Sequence, residues 1–561
     1  MKIISRPINQ IAAQQLAEAG INPILARLFA ARGIESIEQL ETTLSLLIPP
    51  EKLTHNTQMA KFLANMITEN KKLLVIGDYD ADGATASAVA VRGLRSMGAI
   101  VDFLVPNRFE YGYGLTPEIV QLAATKKPDA LITVDNGIAS IDGVNAANLL
   151  GFQVLITDHH LPGDTTPNAA CIVNPNQYDC DFPSKNLAGV GVMFYCLLAL
   201  RIELRSRGMF ADKPEPNLAE LLDLVALGTV ADLVKLDENN RILVEQGLRR
   251  IRAGKGSLGI MALLKLGGKD YQKVNAQDLA FILGPRLNAA GRLDDMSLGI
   301  ACLLSNDPII AGRLAQQLHD LNLSRREIEA DMQSAAQITL DNLNVNNQSS
   351  ISMYQPEWHQ GVIGILASRI KEKYHRPVIA FAKAGDGSIL KGSGRSISNL
   401  HLRDALDLLS KRMPGLIIKF GGHAMAAGLT IKLDDFKRFQ SGFESIASHL
   451  LTPADLQAVL EVDGALKNNE MTLETASALD AQVWGQGFAP PTFCDEFIVI
   501  NQRVVGEKHL KLRLKKGNTI FDAIYFGQIN FLPDAVKVVY QLQMNEYNGM
   551  QSLQLMVRHV A

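Results

Sequence analysis

The feature that most constrains this sequence is a short apolar run that ends abruptly in carboxylates. Leu73 to Ile76 is followed by Gly77 and then by Asp78, Asp80 and Asp82. An uncharged run of this length is typical of a strand covered on both faces. If the backbone stays extended beyond the strand, the three carboxylates point the same way. Like charges this close repel one another unless a cation lies between them, so the spacing predicts a divalent metal site.

Two simpler interpretations of this stretch stay open until the rest of the chain is considered. An acidic turn bounded by glycines needs no ion. The pattern D-x-D-x-D-G also opens calcium-binding loops. The stretch alone therefore does not decide which kind of site it is.

From Leu73 onwards strand patterns alternate with helix patterns, which predicts a parallel sheet with helices on both faces. Two further predicted strands are Ala130 to Val134 and Phe152 to Thr157. The first is followed at once by Asp135, Asn136 and Gly137, and the second by Asp158, His159 and His160. Ligands of such sheets collect outside the carboxyl ends of the strands. A single histidine after a strand is more often structural, but three strand ends of this kind predict one shared site.

A fourth acidic element lies in the apolar stretch Leu221 to Val234, which carries only Asp223 and Asp232 as charged residues. A charge in such a segment is expected to be paired or bound to a metal. We choose Asp232, because it follows a predicted chain break at Gly228 and therefore lies where the chain can approach the site.

The composition, with 47% apolar and 20% charged residues over 561 positions, is that of a folded protein of roughly three to five domains. The net charge of −3 means that a nucleic-acid partner must be met by local basic surfaces. Five scattered cysteines favour free thiols in a reducing cytoplasm. The polar N-terminus lacks a signal-peptide core, and the apolar run Leu187 to Leu200 is too short to span a bilayer. We therefore expect a cytoplasmic protein without a membrane anchor.

The C-terminal stretch KHLKLRLKK has the pattern of a two-faced strand. Leu510, Leu512 and Leu514 alternate with the cationic residues Lys511, Arg513 and Lys515. A solvated sheet face is the simpler explanation. A small β-barrel that presents such a face would instead follow a polyanionic backbone, as an OB-fold does.

Taken together, the motifs GDYDADG, VDNG, TDHH and GTVAD resemble, in this order, the four motifs of the DHH phosphoesterase superfamily. More narrowly, the chain resembles the bacterial single-strand-specific exonucleases of that superfamily. The resemblance continues through the stretches 106–115, 284–293, 358–370, 392–396 and 420–428. One departure is Lys235, where the pattern has proline after GTVAD, and it affects no ligand.

The resemblance implies a centre of two divalent ions, manganese or magnesium, and the histidine favours manganese. Asp135 would bridge the ions, Asp80 would complete one side, and Asp82, His159 and Asp232 would complete the other. The remaining members of the implied catalytic set are Asp78, as a ligand or an orienting group, Asp158, and His160 facing the scissile phosphate.

The resemblance also implies contacts to the nucleic acid. Arg108 together with Ser393 and Arg395 would hold a terminal 5′-phosphate, and Arg286 would steer the backbone towards the metals. The other implied contacts are Asn288, the glycine-rich turn Gly421, Gly422 and His423, and the cationic residues Lys511, Arg513 and Lys515.

The predicted fold is a multidomain α/β protein whose five segments are an N-terminal helical segment 1–70, a parallel-sheet DHH catalytic domain 71–305, a long connecting helix 306–347, a DHH-associated α/β domain 348–452 and an OB-fold-like β-barrel domain 453–561. The activity that the resemblance implies is metal-dependent 5′-to-3′ removal of nucleotides from single-stranded DNA, in DNA repair and recombination. Single-stranded DNA is the expected partner of a monomer, with a single-strand-binding protein and a helicase as further partners by resemblance.

Two alternative functions stay open. One is a non-catalytic DHH-type scaffold that binds single strands, although the complete set of acidic and imidazole positions argues against it. The other is a phosphodiesterase of short oligonucleotides or cyclic dinucleotides, which would need neither the long connecting helix nor a basic β domain.

Overall fold

The computed structural model describes residues 1–341, 345–385, 387–547 and 549–561, without the side chains of Arg108, Phe109, Asn346 and Tyr547. The chain forms two compact units. One comprises Ser5–His319 and Glu461–Ala561, and the other comprises Met1–Ile4 and Asp320–Leu460. The finer division into five segments stays a prediction. No described helix combines the length and hydrophobicity needed to cross a bilayer.

The N-terminal segment is mainly helical and consists of β1 (Lys2–Ser5), α1 (Gln10–Glu18), α2 (Pro23–Ala30) and α3 (Asn56–Thr68). Asparagine side chains cap the first two helices: Asn9 accepts from the backbone N–H of Ala12, and Asn22 accepts from that of Ile24. Such caps satisfy N–H groups that have no partner within the helix.

The first sheet is parallel throughout, and its strands are β2 (Lys72–Gly77), β3 (Ile100–Leu104), β4 (Ala130–Val134), β5 (Gln153–Thr157) and β6 (Cys171–Val173), in the order β3-β2-β4-β5-β6. The helices between the strands are α4 (Ala81–Ser96), α5 (Arg108–Tyr111), α6 (Pro117–Ala124) and α7 (Ile141–Leu149). The predicted parallel sheet is confirmed. Because the chain leaves β2 towards β3 and returns to β4 on the other side, a crevice opens at the carboxyl ends of β2 and β4.

Seven further helices complete this domain: α8 (Gly189–Ser206), α9 (Leu222–Ala231), α10 (Glu238–Arg252), α11 (Leu258–Leu266), α12 (Ala276–Asp278), α13 (Gly284–Leu293) and α14 (Ser297–Leu304). A π-helical turn, Leu279–Leu283, leads directly into α13. The apolar run around Leu187 to Leu200 is largely the buried helix α8, as its composition predicts.

The predicted break at Gly228 is wrong, because Gly228 lies inside the continuous helix α9. The glycine serves a close approach instead. A Cβ atom at this position would lie 2.2 Å from Oγ1 of Thr85 and 2.9 Å from Oδ1 of Asp82. The chain leaves the helix only after Asp232, where Leu233 adopts a left-handed conformation with φ of 59°.

The predicted long helix is confirmed as α15 (Pro308–Asp341). Its 34 residues give a length of about 50 Å at the usual helical rise. The boundary between the two compact units falls within it, between His319 and Asp320.

The second unit contains a mixed sheet covered by helices, formed by β7 (Ile351–Tyr354), α16 (Ile363–Tyr374), β8 (Val378–Ala384), β9 (Ile389–Arg395), α17 (Leu402–Arg412), β10 (Lys419–Gly422), β11 (Ala426–Lys432) and α18 (Phe436–Leu450). The strand order is β10-β11-β9-β8-β7, with only β7 and β8 parallel. Phe381, Phe439 and Phe443 are fully buried in its core.

The C-terminal region begins with β12 (Val459–Val462) and α19 (Leu473–Asp480) and continues with β13 (Phe493–Val505), β14 (His509–Lys516), β15 (Thr519–Phe526), β16 (Ala535–Tyr547) and β17 (Met550–Val560). The last five strands close into a barrel in the order β13-β14-β15-β17-β16. The predicted β-barrel is therefore confirmed.

The N-terminal segment packs against the C-terminal region, which no sequence pattern indicates. Nη2 of Arg32 lies 2.9 Å from Oδ2 of Asp463, and both side chains are almost completely buried. The guanidinium group also lies 5.0 Å from the ring centre of Trp484. The two ends of this unit are thus joined by a buried ion pair and a cation–π contact.

Candidate active site

The metal loop, which we define as Asp78 to Asp82, turns directly from strand β2 into helix α4. Oδ1 of Asp80 accepts hydrogen bonds from the backbone N–H groups of Asp82 (2.9 Å) and Gly83 (3.0 Å), so Asp80 is the N-cap of α4. The expectation of an extended backbone is wrong here, because the cap starts the helix at Ala81.

The carboxyl ends of the strands nevertheless bring the predicted ligands together. Three groups have ligand atoms within 4.8 Å of one another: Asp78 with Asp80 and Asp135, Asp82 with His159 and Asp232, and Asp135 with His159 and His160. The Nε2 atom of His159 lies near three carboxylates, at 3.1 Å from Asp135, 3.6 Å from Asp232 and 4.0 Å from Asp82. The separate sequence motifs therefore form one cluster.

Asp135 lies at the centre of this cluster in an unusual backbone conformation. Its φ of 61° is left-handed, a conformation that costs free energy for a residue other than glycine and that recurs at functional sites. Its Oδ1 atom is buried and accepts no hydrogen bond from the described residues. A buried carboxylate oxygen of this kind fits a metal ligand.

The electrostatics of the cluster also fit bound cations. Burial, and then the charges of neighbouring carboxylates, raise the pKa values of Asp135 and Asp232 well above their ordinary range. The same two causes raise the pKa of Asp82 to about 7. Burial lowers the pKa of His159 to about 4, which keeps its imidazole in the neutral form that binds metals. Divalent cations would relieve the repulsion between these carboxylates, so the residues fit two ions.

The start of helix α8 holds Asp82, a contact that the sequence does not reveal. The backbone N–H groups of Gly189 and Val190 donate to its two carboxylate oxygens at 2.6 and 2.9 Å. A helix N-terminus favours negative charge, so it orients this carboxylate. Gly189 in the stretch GVGV is a sequence signal that α8 approaches the cluster closely, since a Cβ on Gly189 would lie 2.5 Å from that of Asp135.

Asp158 supports His160. Its Oδ1 atom lies 2.7 Å from Nδ1 of His160, and its Oδ2 atom accepts from the backbone N–H of Ile138 at 2.9 Å. Burial alone would lower the pKa of His160, but the hydrogen bond and charge of Asp158 outweigh it and raise that pKa to about 9. On the other side, the hydroxyl of Tyr113, which sequence reasoning did not single out, lies 3.3 Å from Nε2 of His160.

Of the predicted nucleic-acid contacts in this unit, Arg108 has a side chain outside the described structure. Arg286 lies on α13, where its Nε donates to Nδ1 of His319 at 3.2 Å and its Nη1 donates to the carbonyl of Ile282 at 2.5 Å. Oδ1 of Asn288 accepts from the backbone N–H of Ala81 at 2.8 Å. Asn288 is thus in contact with the metal loop.

In the second unit, the two glycine-rich stretches lie side by side. Ser393 pairs with Gly428, which in turn pairs with Gly421, so these residues form one row across β9, β11 and β10. Gly422 has a φ of 143° and is followed by His423 in the hairpin turn. Nη1 of Arg395 donates to Oγ of Ser393 at 3.3 Å and to the carbonyl of Gly394 at 2.8 Å.

The first turn of helix α16 borders this row. A Cβ on Gly364 would lie 2.9 Å from Oγ of Ser393 and 3.1 Å from Nη2 of Arg395. A hydroxyl, a guanidinium group and a helix N-terminus therefore lie together, and each of these groups favours an anion.

The predicted two-faced strand is β14. Leu510, Leu512 and Leu514 are buried inside the barrel, and the cationic residues that alternate with them are Lys511, Arg513 and Lys515. Their row neighbours are mixed: Lys511 pairs with Arg503, Arg513 with Asp522, and Lys515 with Ile498 and Ile520. The outer face is therefore less uniformly cationic than the strand alone predicts.

Comparison with known families assigns three parts of the chain. Residues 72–229 match the model of the DHH family, N-terminal domain, residues 347–449 match the DHHA1 domain, and residues 462–559 match the RecJ OB domain. The fold and the site thus define a DHH protein that carries an associated α/β domain and an OB domain.

Comparison with individual relatives identifies the family within this class. The chain is 51% identical to the single-stranded-DNA-specific exonuclease RecJ of Escherichia coli, over 97% of this chain and 96% of that protein. It is 50% identical to the protein of the same name from Dickeya dadantii, over the full length of both. The crystal structure of RecJ in complex with Mn²⁺ from Thermus thermophilus matches with a TM-score of 0.83 at 30% identity, covering 100% of this chain and 79% of the other. The chain belongs to the RecJ family.

Proposed function

We propose that this protein is a single-stranded-DNA-specific exonuclease that uses two divalent ions, manganese or magnesium, and digests from the 5′ end. The observation that carries the proposal is the convergence of five carboxylates and His159 at the carboxyl ends of parallel strands. The two relatives that match this chain over nearly its full length are both named single-stranded-DNA-specific exonuclease. A purely structural acidic cluster would not need to bury so many like charges.

The residues divide into two ligand sets that share Asp135. Asp78 and Asp80 would hold one ion with it, and Asp82, His159 and Asp232 would hold the other. When bound, two such ions polarise the phosphoryl oxygens, stabilise the leaving oxygen and lower the pKa of a bound water. The protein's own contribution is to fix the ligands: Asp80 through its cap of α4, and Asp82 through the N–H groups of α8.

His160 would act on the phosphate rather than on a metal. Asp158 holds its Nδ1 atom, so a phosphate would meet the Nε2 side of the ring, where the hydroxyl of Tyr113 lies 3.3 Å from Nε2. A protonated imidazole can donate to a phosphate oxygen, and Asp158 keeps that proton on the ring. Asp158 is therefore a positioning residue, because it acts through His160.

The 5′ polarity needs a site that recognises a terminal phosphate. Ser393, Arg395 and the first turn of α16 in the second unit form a set of donors suited to this group. The turn Gly421 to His423 lies in the same region of that sheet. In the unit that carries the acidic cluster, the family resemblance implies that Arg108 and Arg286 contact the DNA through their guanidinium groups.

The remaining contacts concern the longer strand and the cellular setting. We propose that Lys511, Arg513 and Lys515 bind the DNA backbone on the outside of the barrel. We also propose that the protein is a cytoplasmic monomer that acts in repair and recombination with a single-strand-binding protein and a helicase. This part of the proposal relies on the family resemblance.

A timed digest tests the proposal. Single strands labelled at the 5′ or the 3′ end, and a matching duplex, are incubated with Mn²⁺, Mg²⁺ or chelator. We expect early release of labelled mononucleotide from the 5′-labelled single strand only, and no release in chelator. Early loss of the 3′ label would contradict the polarity. Cleavage restricted to di- and trinucleotides would favour an oligonucleotide phosphodiesterase.

A further inference from the structure

We infer that helix α13 is a platform that sets the position of the metal loop, and that Asn288 is a positioning residue for the metal centre. This inference rests on the proposed two-ion reaction. It assigns Asn288 a role different from the substrate contact that the family pattern suggests for the stretch PRLNAAGR.

The first observation is the way in which the N-terminus of α4 is satisfied. The cap residue Asp80 accepts the N–H groups of Asp82 and Gly83 through its side chain, and that of Ala84 through its carbonyl. The N–H of Ala81 is the first in the helix and is out of reach of this cap. Oδ1 of Asn288 accepts it at 2.8 Å. The cap and Asn288 thus divide the backbone donors of the loop between them.

The second observation is the close approach one turn further along α13. A Cβ on Gly291 would lie 1.8 Å from the carbonyl oxygen of Tyr79 and 2.9 Å from its carbonyl carbon. These are backbone atoms that cannot rotate away. Asn288 and Gly291 are three residues apart and therefore share one face of the helix. That face contacts Tyr79 and Ala81, the two residues that alternate with the carboxylates of the loop.

The third observation links the same helix to the other side of the centre. A Cβ on Gly284, the first residue of α13, would lie 3.2 Å from the Cβ of Ala231. Ala231 ends α9 and precedes Asp232. Because α13 contacts both the metal loop and the end of α9, it fixes the distance between ligands of the two sets. Small errors in such distances weaken metal binding, since the loss of a group that orients a ligand typically lowers metal affinity 10–100-fold.

The test is to measure Mn²⁺ binding calorimetrically for wild type and Asn288→Ala, without DNA, and then kcat and KM on single-stranded DNA at saturating Mn²⁺. We expect Mn²⁺ affinity to fall by about tenfold or more. We expect kcat to fall while KM for DNA stays near the wild-type value. Asn288→Asp keeps the acceptor, so its Mn²⁺ affinity should recover towards that of the wild type.

A substrate contact would behave differently. Asn288→Ala would raise KM with unchanged Mn²⁺ affinity, and Asn288→Asp would raise KM further, because the new charge repels phosphate. Either result would overturn the inference. Asn148→Ala is the control, because Asn148 is likewise a helical asparagine whose side chain bonds to the backbone: on α7, its Nδ2 donates to the carbonyl of Asn168 at 2.9 Å. It should leave Mn²⁺ affinity unchanged.

Failure of the inference and failure of the proposed function are distinguishable. A wild-type protein that neither binds Mn²⁺ nor digests single strands contradicts the function itself. A fully active wild type whose Asn288→Ala variant keeps its Mn²⁺ affinity contradicts only the role of α13. Thermal unfolding of each variant in chelator confirms that the fold is intact and assigns any loss of affinity to the centre.

Discussion

The metal centre and the cationic face of strand β14 are both built from charged residues, but in opposite ways. The centre collects buried like charges from strand ends far apart in sequence, and its geometry is held by Asp158, Asn288 and the start of α8. The face of β14 carries its cations on one strand, at least partly exposed to solvent, beside neighbours such as Asp522 and Ile520.

This difference determines how strongly mutations in each region should affect function. Charges inside the protein interact strongly and are screened little, so each ligand and each supporting group should matter greatly. Exposed cations interact through a screened field, so their effects should be modest, similar to one another and dependent on salt. The predictions below test this contrast.

The largest effect is expected at Asp135, the residue that we propose the two ligand sets share. Asp135→Ala should lower kcat/KM by roughly a hundredfold or more, since metal ions contribute several kcal/mol to stabilising the transition state. Digestion of labelled single strands measures the loss. Asp142→Ala, an exposed carboxylate on α7, is the control and should retain full activity. Retention of more than a few per cent of activity by Asp135→Ala would exclude the two-ion assignment.

A smaller loss of kcat is expected when Asp158, the residue that supports His160, is changed. Asp158→Asn keeps the shape of the side chain but removes the charge that holds the imidazole proton, so kcat should fall about 10–100-fold. Mn²⁺ affinity, measured calorimetrically, should change little. His160→Gln should show a similar loss, and the double variant should lose little more than either single variant, because the two residues act as a unit. Additive losses would show that Asp158 acts independently of His160.

The next effect concerns the choice of terminus rather than the rate. Arg395→Ala should reduce the preference for 5′-phosphorylated over 5′-hydroxyl strands by about tenfold, since a charge-assisted hydrogen bond contributes roughly 1.5–3 kcal/mol. The measurement is the ratio of kcat/KM for the two substrates. Arg403→Ala, an exposed arginine on α17, should leave that ratio unchanged. Equal losses on both substrates would make Arg395 a general backbone contact.

The cationic face should respond to salt. Replacing Lys511, Arg513 and Lys515 together with Gln should weaken DNA binding and lower the slope of log affinity against log salt by somewhat under one unit per lost phosphate contact. Cleavage of very short oligonucleotides should persist. Lys537→Gln, at an exposed position on β16, is the control. An unchanged slope would mean that β14 does not face DNA.

The smallest expected effect is a gain in stability, whereas most mutations destabilise a protein. In chelator, Asp135→Asn should be more stable than wild type, because it removes one of several buried like charges that no cation offsets. Each kcal/mol gained raises the melting temperature by about 1 °C in a protein of this size, because the entropy of unfolding grows with chain length. The exposed Asp142→Asn should show no such gain. An equal or lower melting temperature for Asp135→Asn would mean that the buried carboxylates do not destabilise the metal-free fold.

Much of this protein was determined by its sequence alone. The parallel sheet and the long helix α15 follow from apolar patterns, which are a local property of the chain, whereas the closed barrel was expected from the family resemblance. The positions of the acidic and imidazole residues at strand ends were sufficient to predict that they meet, because parallel strands present their carboxyl ends at one edge. The alternating leucines of β14 likewise identified its buried face.

Only the tertiary structure decided how these residues are held. The N–H groups of α8 on Asp82 and the amide of Asn288 on Ala81 join segments up to 207 residues apart in the chain. The chain does not break at Gly228, since that glycine serves a packing contact inside a helix. Hydrogen-bond partners and close approaches depend on which distant segments become neighbours in the folded chain. The periodicity of a single segment carries no information about which distant segments will lie beside it.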